Sequence, residues 1–146
     1  MKPISDITEA DIARQTTDKV FQRGVDYYED GAVLSVVRRG GLIQAEVEGS
    51  EDEPYLISVT LGKKGVTAAE CTCPYGQEWG GWCKHIVATL LFCLNNAGEV
   101  EERPALKTLL EGLNRDQLQA LVEQVAADNL QLVEEIAEHA LRLKKR

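Results

Sequence analysis

Between positions 71 and 85 the chain reads CTCPYGQEWGGWCKH, which gathers three of its four cysteines and one of its two histidines into fifteen residues. Such groups can form a disulfide, act as nucleophile and base, or ligate a metal. Cys71 and Cys73 have one residue between them, a separation at which a disulfide is strained. In a strand, residues two apart point to the same face, so this pair presents two sulfurs side by side. Cys83 and His85 supply a second pair, and the nine residues between the pairs suffice to close a loop around an ion. Three thiolates and an imidazole make a tetrahedral zinc set, with about 2.3 Å to sulfur and 2.0 to 2.1 Å to nitrogen, and four protein ligands leave no position for a reactive water. The spacing therefore predicts one structural zinc ion held by Cys71, Cys73, Cys83 and His85. Buried cysteines are often only small hydrophobes, but close pairing beside a histidine argues against that here. A catalytic reading would make Cys83 a nucleophile with His85 as its base. No third catalytic group is evident, and two thiols would be unexplained, so the chain is read as a binding protein and not an enzyme.

The elements that must hold these ligands can be read on either side. From Gly31 the apolar period is two and turn signals are closely spaced, which predicts an antiparallel meander of four strands, AVLSVVR, LIQAEVE, YLISVTL and VTAAECTC. The second alternates most cleanly, Ile43, Ala45 and Val47 against Gln44, Glu46 and Glu48. Pro74 ends the fourth strand, and Gly76, Gly80 and Gly81 permit tight paths in the loop that follows. After Lys84 comes HIVATLLFCL, apolar on nearly every side, hence a helix buried across the sheet. Before the sheet, the first thirty residues read as helical, with a cap at Thr8–Asp11 and Val20, Phe21, Gly24, Val25 and Tyr28 on one face. After it, Asn95, Asn96 and Gly98 stop the buried helix, EVEER leads to Pro104, and a helical tail follows. In the tail Asn114 and Gln117 resemble a capping box, Leu118, Leu121, Val122 and Val125 form a stripe, and Asp128 is a cap for a last helix carrying Leu130, Val133, Ala137 and Leu141. The reading is α+β: an N-terminal helix, an antiparallel four-stranded sheet with a zinc-anchored buried helix over residues 1–100, and an amphipathic helical tail over 101–146.

The whole chain narrows the partners. Its 146 residues suffice for a core without cross-links, and no run approaches the roughly 20 apolar residues that span a bilayer. The opening MKPISDITEADIARQ lacks the apolar stretch of a secretory signal, which places the chain in the reducing cytoplasm and disfavours disulfides. The net charge is −8, from 9 basic and 15 acidic residues in 1–100 and 7 basic and 9 acidic in 101–146, so neither part is a basic arm. That opposes a general attraction to phosphate. The basic clusters Arg38-Arg39, Lys63-Lys64 and Lys144-Lys145-Arg146 are small.

The C-x-C, loop, C-x-H pattern resembles the SWIM-type zinc finger, best from Tyr55 to Leu94, and FQRGVDYYEDGAV at 21–33 resembles the lead-in of bacterial SWIM proteins. The resemblance puts the family's zinc ligands on Cys71, Cys73, Cys83 and His85 with no departure. It implies a module that binds DNA or protein, in a family whose members include transposases, ubiquitin-ligase-type proteins and proteins associated with helicase-like remodelling ATPases. A protein partner, possible accessory work in such an ATPase system, and weak DNA binding as the alternative are the expectations. Tyr75, Trp79 and Trp82 in the loop could stack on bases or fill a partner's pocket, with Lys84 beside them; the plainer reading has the aromatics covering the metal. Cys93 and His139 are read as packing and surface residues, not ligands.

Overall fold

The computed structural model describes residues 7–63, 65–74 and 82–145. Helix α1 (Glu9–Ala13) opens on a capping box: Asp11 N–H donates to Thr8 Oγ1 at 3.1 Å, and Thr8 N–H donates to the Asp11 carboxylate at 3.0 Å. A second hydroxyl cap, Thr17, accepts from Val20 N–H at 3.2 Å and starts α2 (Asp18–Glu29). The N-terminal helical stretch is thus two helices, because each threonine satisfies orphan N–H groups only by leaving the helical conformation itself.

Four strands form the expected antiparallel meander: β1 (Val33–Arg39), β2 (Leu42–Val47), β3 (Tyr55–Gly62) and β4 (Gly65–Cys71). A fifth, β5 (Glu101–Arg103), joins the edge parallel to β1 and makes the order β4-β3-β2-β1-β5. The sequence hides it because three charged, exposed residues show no alternation; charge is what an exposed sheet edge tolerates. Across β2 and β3 the register pairs Ile43 with Val59, Ala45 with Ile57 and Val47 with Tyr55, so all six share the buried face. Gln44, Glu46 and Leu56 are exposed on the other.

Helix α3 (Lys84–Asn95) lies over the buried face, with every residue from His85 to Leu91 buried, and Cys93 with them. Helix α2 covers α3 in turn. Their contact turns on Gly24, the one buried residue of α2. A Cβ there would lie 2.3 Å from Val87 Cγ1 and 3.1 Å from the Lys84 carbonyl, so only glycine lets the backbones approach this closely.

The chain divides into two compact units, the first running to Ala105 and the second beginning at Leu106. The second comprises α4 (Leu106–Glu111), α5 (Arg115–Asp128), a 3₁₀ turn (Leu130–Leu132) and α6 (Val133–Lys144). The Asn114–Gln117 capping box forms, with bonds of 2.8 and 2.9 Å. Asp128, read as the cap of the last helix, is instead the final residue of α5, where its carboxylate accepts from Gln124. The 3₁₀ turn then intervenes, and Leu132 occupies the cap position of α6 without a side-chain bond. None of the three α-helices buries a residue. Among the described residues no helix is long and apolar enough to cross a membrane.

Candidate metal centre

The end of β4 and the start of α3 position the cluster. The β3–β4 ladder closes at Ile57 and Cys71. Thr72 then extends the pairing, its N–H donating to the Leu56 carbonyl at 3.1 Å and its hydroxyl accepting from Leu56 N–H at 3.0 Å. Cys73 lies beyond the strand, and its N–H donates to Cys71 Sγ at 3.4 Å. Strand alternation is therefore not what brings the first two sulfurs together; a turn held by that N–H···S bond does so.

Cys83 is the N-cap of α3, with extended backbone (φ −90°, ψ 172°) and no capping bond from its side chain. Its sulfur is thus left for the cluster, while its carbonyl accepts from Val87 N–H at 3.1 Å and starts the helix. His85 follows in the first turn. The approach to α3 is tied to the N-terminal region by Thr16, whose hydroxyl donates to the Trp82 carbonyl at 3.1 Å.

The four ligand atoms lie within 4.8 Å of one another, and the residues are 8%, 1%, 1% and 3% exposed in the order Cys71, Cys73, Cys83, His85. His85 Nδ1 stands 3.6 Å from Cys83 Sγ and 3.8 Å from Cys71 Sγ. Tetrahedral zinc with ordinary bond lengths requires edges of about 3.8 Å between sulfurs and about 3.5 Å from sulfur to nitrogen. The donor set fits one structural zinc ion, and His85 meets it through Nδ1. Without metal, Cys71 and Cys83 share a proton: the Cys71 S–H held to the Cys83 sulfur draws the Cys83 thiol below its ordinary range, and the same bond, reinforced by burial, pushes Cys71 up. A site that already favours one thiolate is prepared for a cation, because metal binding must displace the protons.

The other singled-out residues are spread more widely. Tyr75 and Trp79 lie outside the described residues. Trp82 is half-buried, packs on the core and lines a groove with Asp11, Arg14 and Gln15. Lys84 lines a different cavity, with its Nζ 4.8 Å above the Tyr27 ring. Cys93 is fully buried, and burial pushes its thiol up to about 12 against an opposing pull from Arg38. His139 is exposed, with Nδ1 3.0 Å from an Arg142 guanidinium nitrogen. Two neighbours of the centre escaped the sequence reading. Tyr55 packs tilted on the His85 ring at 4.7 Å between centroids, and Tyr27 meets it edge-on at 5.3 Å. Tyr55 had a signal, since it begins the inward set Tyr55, Ile57, Val59, Leu61; Tyr27 follows Gly24 by three, the spacing of one helical face.

Residues 55–94 match the family model of the SWIM zinc finger. Zinc finger SWIM domain-containing protein 8 of Bos taurus, Mus musculus and Homo sapiens is 32% identical to the chain over 112 residues in each case, covering 74% of the chain. The match spans only 8% of the bovine protein and 6% of the mouse and human ones. No solved structure matches the chain significantly.

Proposed function

From the SWIM zinc finger at residues 55–94, we propose that this chain is a zinc-stabilised module that binds a protein partner and catalyses no reaction. The observation that carries the reading is the second unit. Of eleven exposed large hydrophobic residues among the described ones, nine fall in it: Leu106, Leu109, Leu121, Val122, Val125, Leu130, Val133, Leu141 and Leu143. Helices that expose so much apolar surface are suited to cover, or be covered by, another polypeptide. The net charge of −8 agrees, because it opposes binding driven by phosphate. Three thiolates and one divalent ion also leave the metal site at −1. The partner class suggested by the family resemblance is a remodelling-type ATPase, with the chain as its accessory in the cytoplasm.

The second reading, direct DNA binding, rests on Lys84, the Lys63-Lys64 pair and the loop tryptophans Trp79 and Trp82 in the finger sequence. Such a surface would neutralise two or three phosphates, giving a slope of log affinity against log salt of roughly −2 to −3. One pair of measurements separates the readings. Labelled duplex and single strands are titrated across salt, and partner capture is compared for the wild type and a Leu121→Asp/Val125→Asp variant. Capture lost in the variant, with DNA binding weak at physiological salt, supports the first reading. Submicromolar DNA binding that Trp82→Ala abolishes while zinc is retained would replace it.

A further inference from the structure

The second unit holds an apolar surface that its own helices leave open. Helices α5 and α6 each pack on the 3₁₀ turn between them, and among the described residues they scarcely meet one another. On α6, Val133, Ile136, Ala140 and Leu143 recur at steps of three, four and three, the spacing of a coiled-coil seam. Val133 and Leu143 are 45% and 63% exposed, Ala140 is exposed and Ile136 is half-buried. Ala137 and Leu141 widen the apolar arc beyond such a seam, which is the width of a helix that meets more than one neighbour.

The order of side chains along the seam matches the same helix run in the opposite direction. About a two-fold axis level with Glu138, Val133 falls opposite Leu143 of a second copy, and Ile136 falls opposite its Ala140. Every layer then joins a larger to a smaller side chain, as a close-packed core requires. Parallel pairing would set alanine against alanine at position 140 and leave a void. The ends agree: α6 begins with Glu134 and Glu135 and finishes with Arg142 and Lys144, so antiparallel copies bring unlike ends and opposed macrodipoles together. Net charge permits the contact here, since residues 106–146 carry six basic and seven acidic groups, or −1, against ten and seventeen, or −7, in residues 1–105. The area is also sufficient. The nine large apolar side chains of the unit are 39 to 74% exposed. At roughly 100 Å² for a whole side chain, covering them removes on the order of 500 Å² of apolar surface per copy. In a homodimer interface about 65% apolar, that corresponds to roughly 800 Å² per partner, the size of a stable contact.

We propose that a second copy of this chain covers the unit, with α6 antiparallel to its counterpart along Val133, Ile136, Ala140 and Leu143 and the α5 stripe packed beside the pair. The inference names a partner for the surface on which the protein-binding reading stands, and it rests on that reading. Sedimentation equilibrium of the zinc-loaded full chain across concentration tests it without any other protein. The expected result is the mass of two chains, with a dissociation constant on the order of 1 μM.

Ile136→Ala should weaken the dimer about 100-fold, because the two-fold axis removes the side chain from two layers at once. Alanine is the better helix former, so α6 itself is not at risk, and circular dichroism checks this. Ile136→Ala/Ala140→Ile again sets one large against one small residue in each layer and should recover the wild-type affinity to within about tenfold. Mild oxidation of mixed Val133→Cys and Leu143→Cys chains, told apart by isotope label, should join unlike chains. A single-chain mass at every concentration, an Ile136→Ala dimer as tight as the wild type, a double variant that fails to recover, or cross-links between like chains alone would overturn the proposal. Partner capture that still depends on Leu121 and Val125 in a chain found to be monomeric would leave the protein-binding reading standing, so the two fail separately.

Discussion

Replacing Gly24 by alanine sets two physical effects against each other and tests whether the α2–α3 contact is as close as described. In an exposed helix the change would stabilise by about 1 kcal/mol through helix propensity. At this position the new methyl would lie 2.3 Å from Val87 Cγ1 and 2.6 Å from Val87 Cβ. Carbon atoms pack best at about 3.5 to 4.0 Å, so the overlap exceeds 1 Å, and Cβ is anchored to the backbone and cannot rotate away. Overpacking of this kind costs about 1 to 3 kcal/mol, and the depth of the clash places it at the upper end. The net expectation is a loss of about 2 kcal/mol, or roughly 8 to 16 °C in melting temperature for a unit of this size. Urea denaturation of the zinc-loaded protein gives the free energy directly. Because Cys83 caps α3 and His85 lies in its first turn, weaker zinc retention should accompany the loss. A Gly24→Ala protein as stable as the wild type, or more so, would refute the close packing.

Chelation should remove amide protection first from the end of β4 and the first turn of α3, leaving β1 to β3 protected, since the sheet and helix bury an apolar core independent of the ion; hydrogen exchange with and without chelator reads this, and uniform loss would contradict it. Cys93 should resist alkylation in the native state. Its folded pKa, about 12, lies above the ordinary 9.0, so its contribution to stability is complete below pH 9 and is lost as pH rises towards 12. Cys93→Ala should therefore flatten the alkaline decline in stability measured by denaturation across pH 8 to 12, and an unchanged decline would assign it to other groups.

The ligand set was legible in the sequence because metal chemistry restricts residue type and spacing so tightly that four positions suffice. The meander was legible for a different reason: one buried face imposes a period of two, as Ile43, Ala45 and Val47 show. β5 was not, since Glu101–Arg103 buries nothing and its pairing with β1 is a property of the folded backbone. The mechanism that joins Cys71 to Cys73 was misread for a related reason. A strand and the turn that follows it place sulfurs equally close, and only the ladder's end at Cys71 distinguishes them. Tyr27 and Tyr55 looked like core residues and are, but their contact with His85 joins positions 58 and 30 residues away in sequence, beyond any local pattern.

Cys71, Cys73, Cys83 and His85 together form the site for one zinc ion at the β4–α3 junction. Native mass spectrometry of the wild type and of Cys83→Ser, purified in parallel with zinc present, tests it most directly. The expected result is one tightly bound zinc per wild-type chain and none in the variant. A variant that retains one zinc would contradict it.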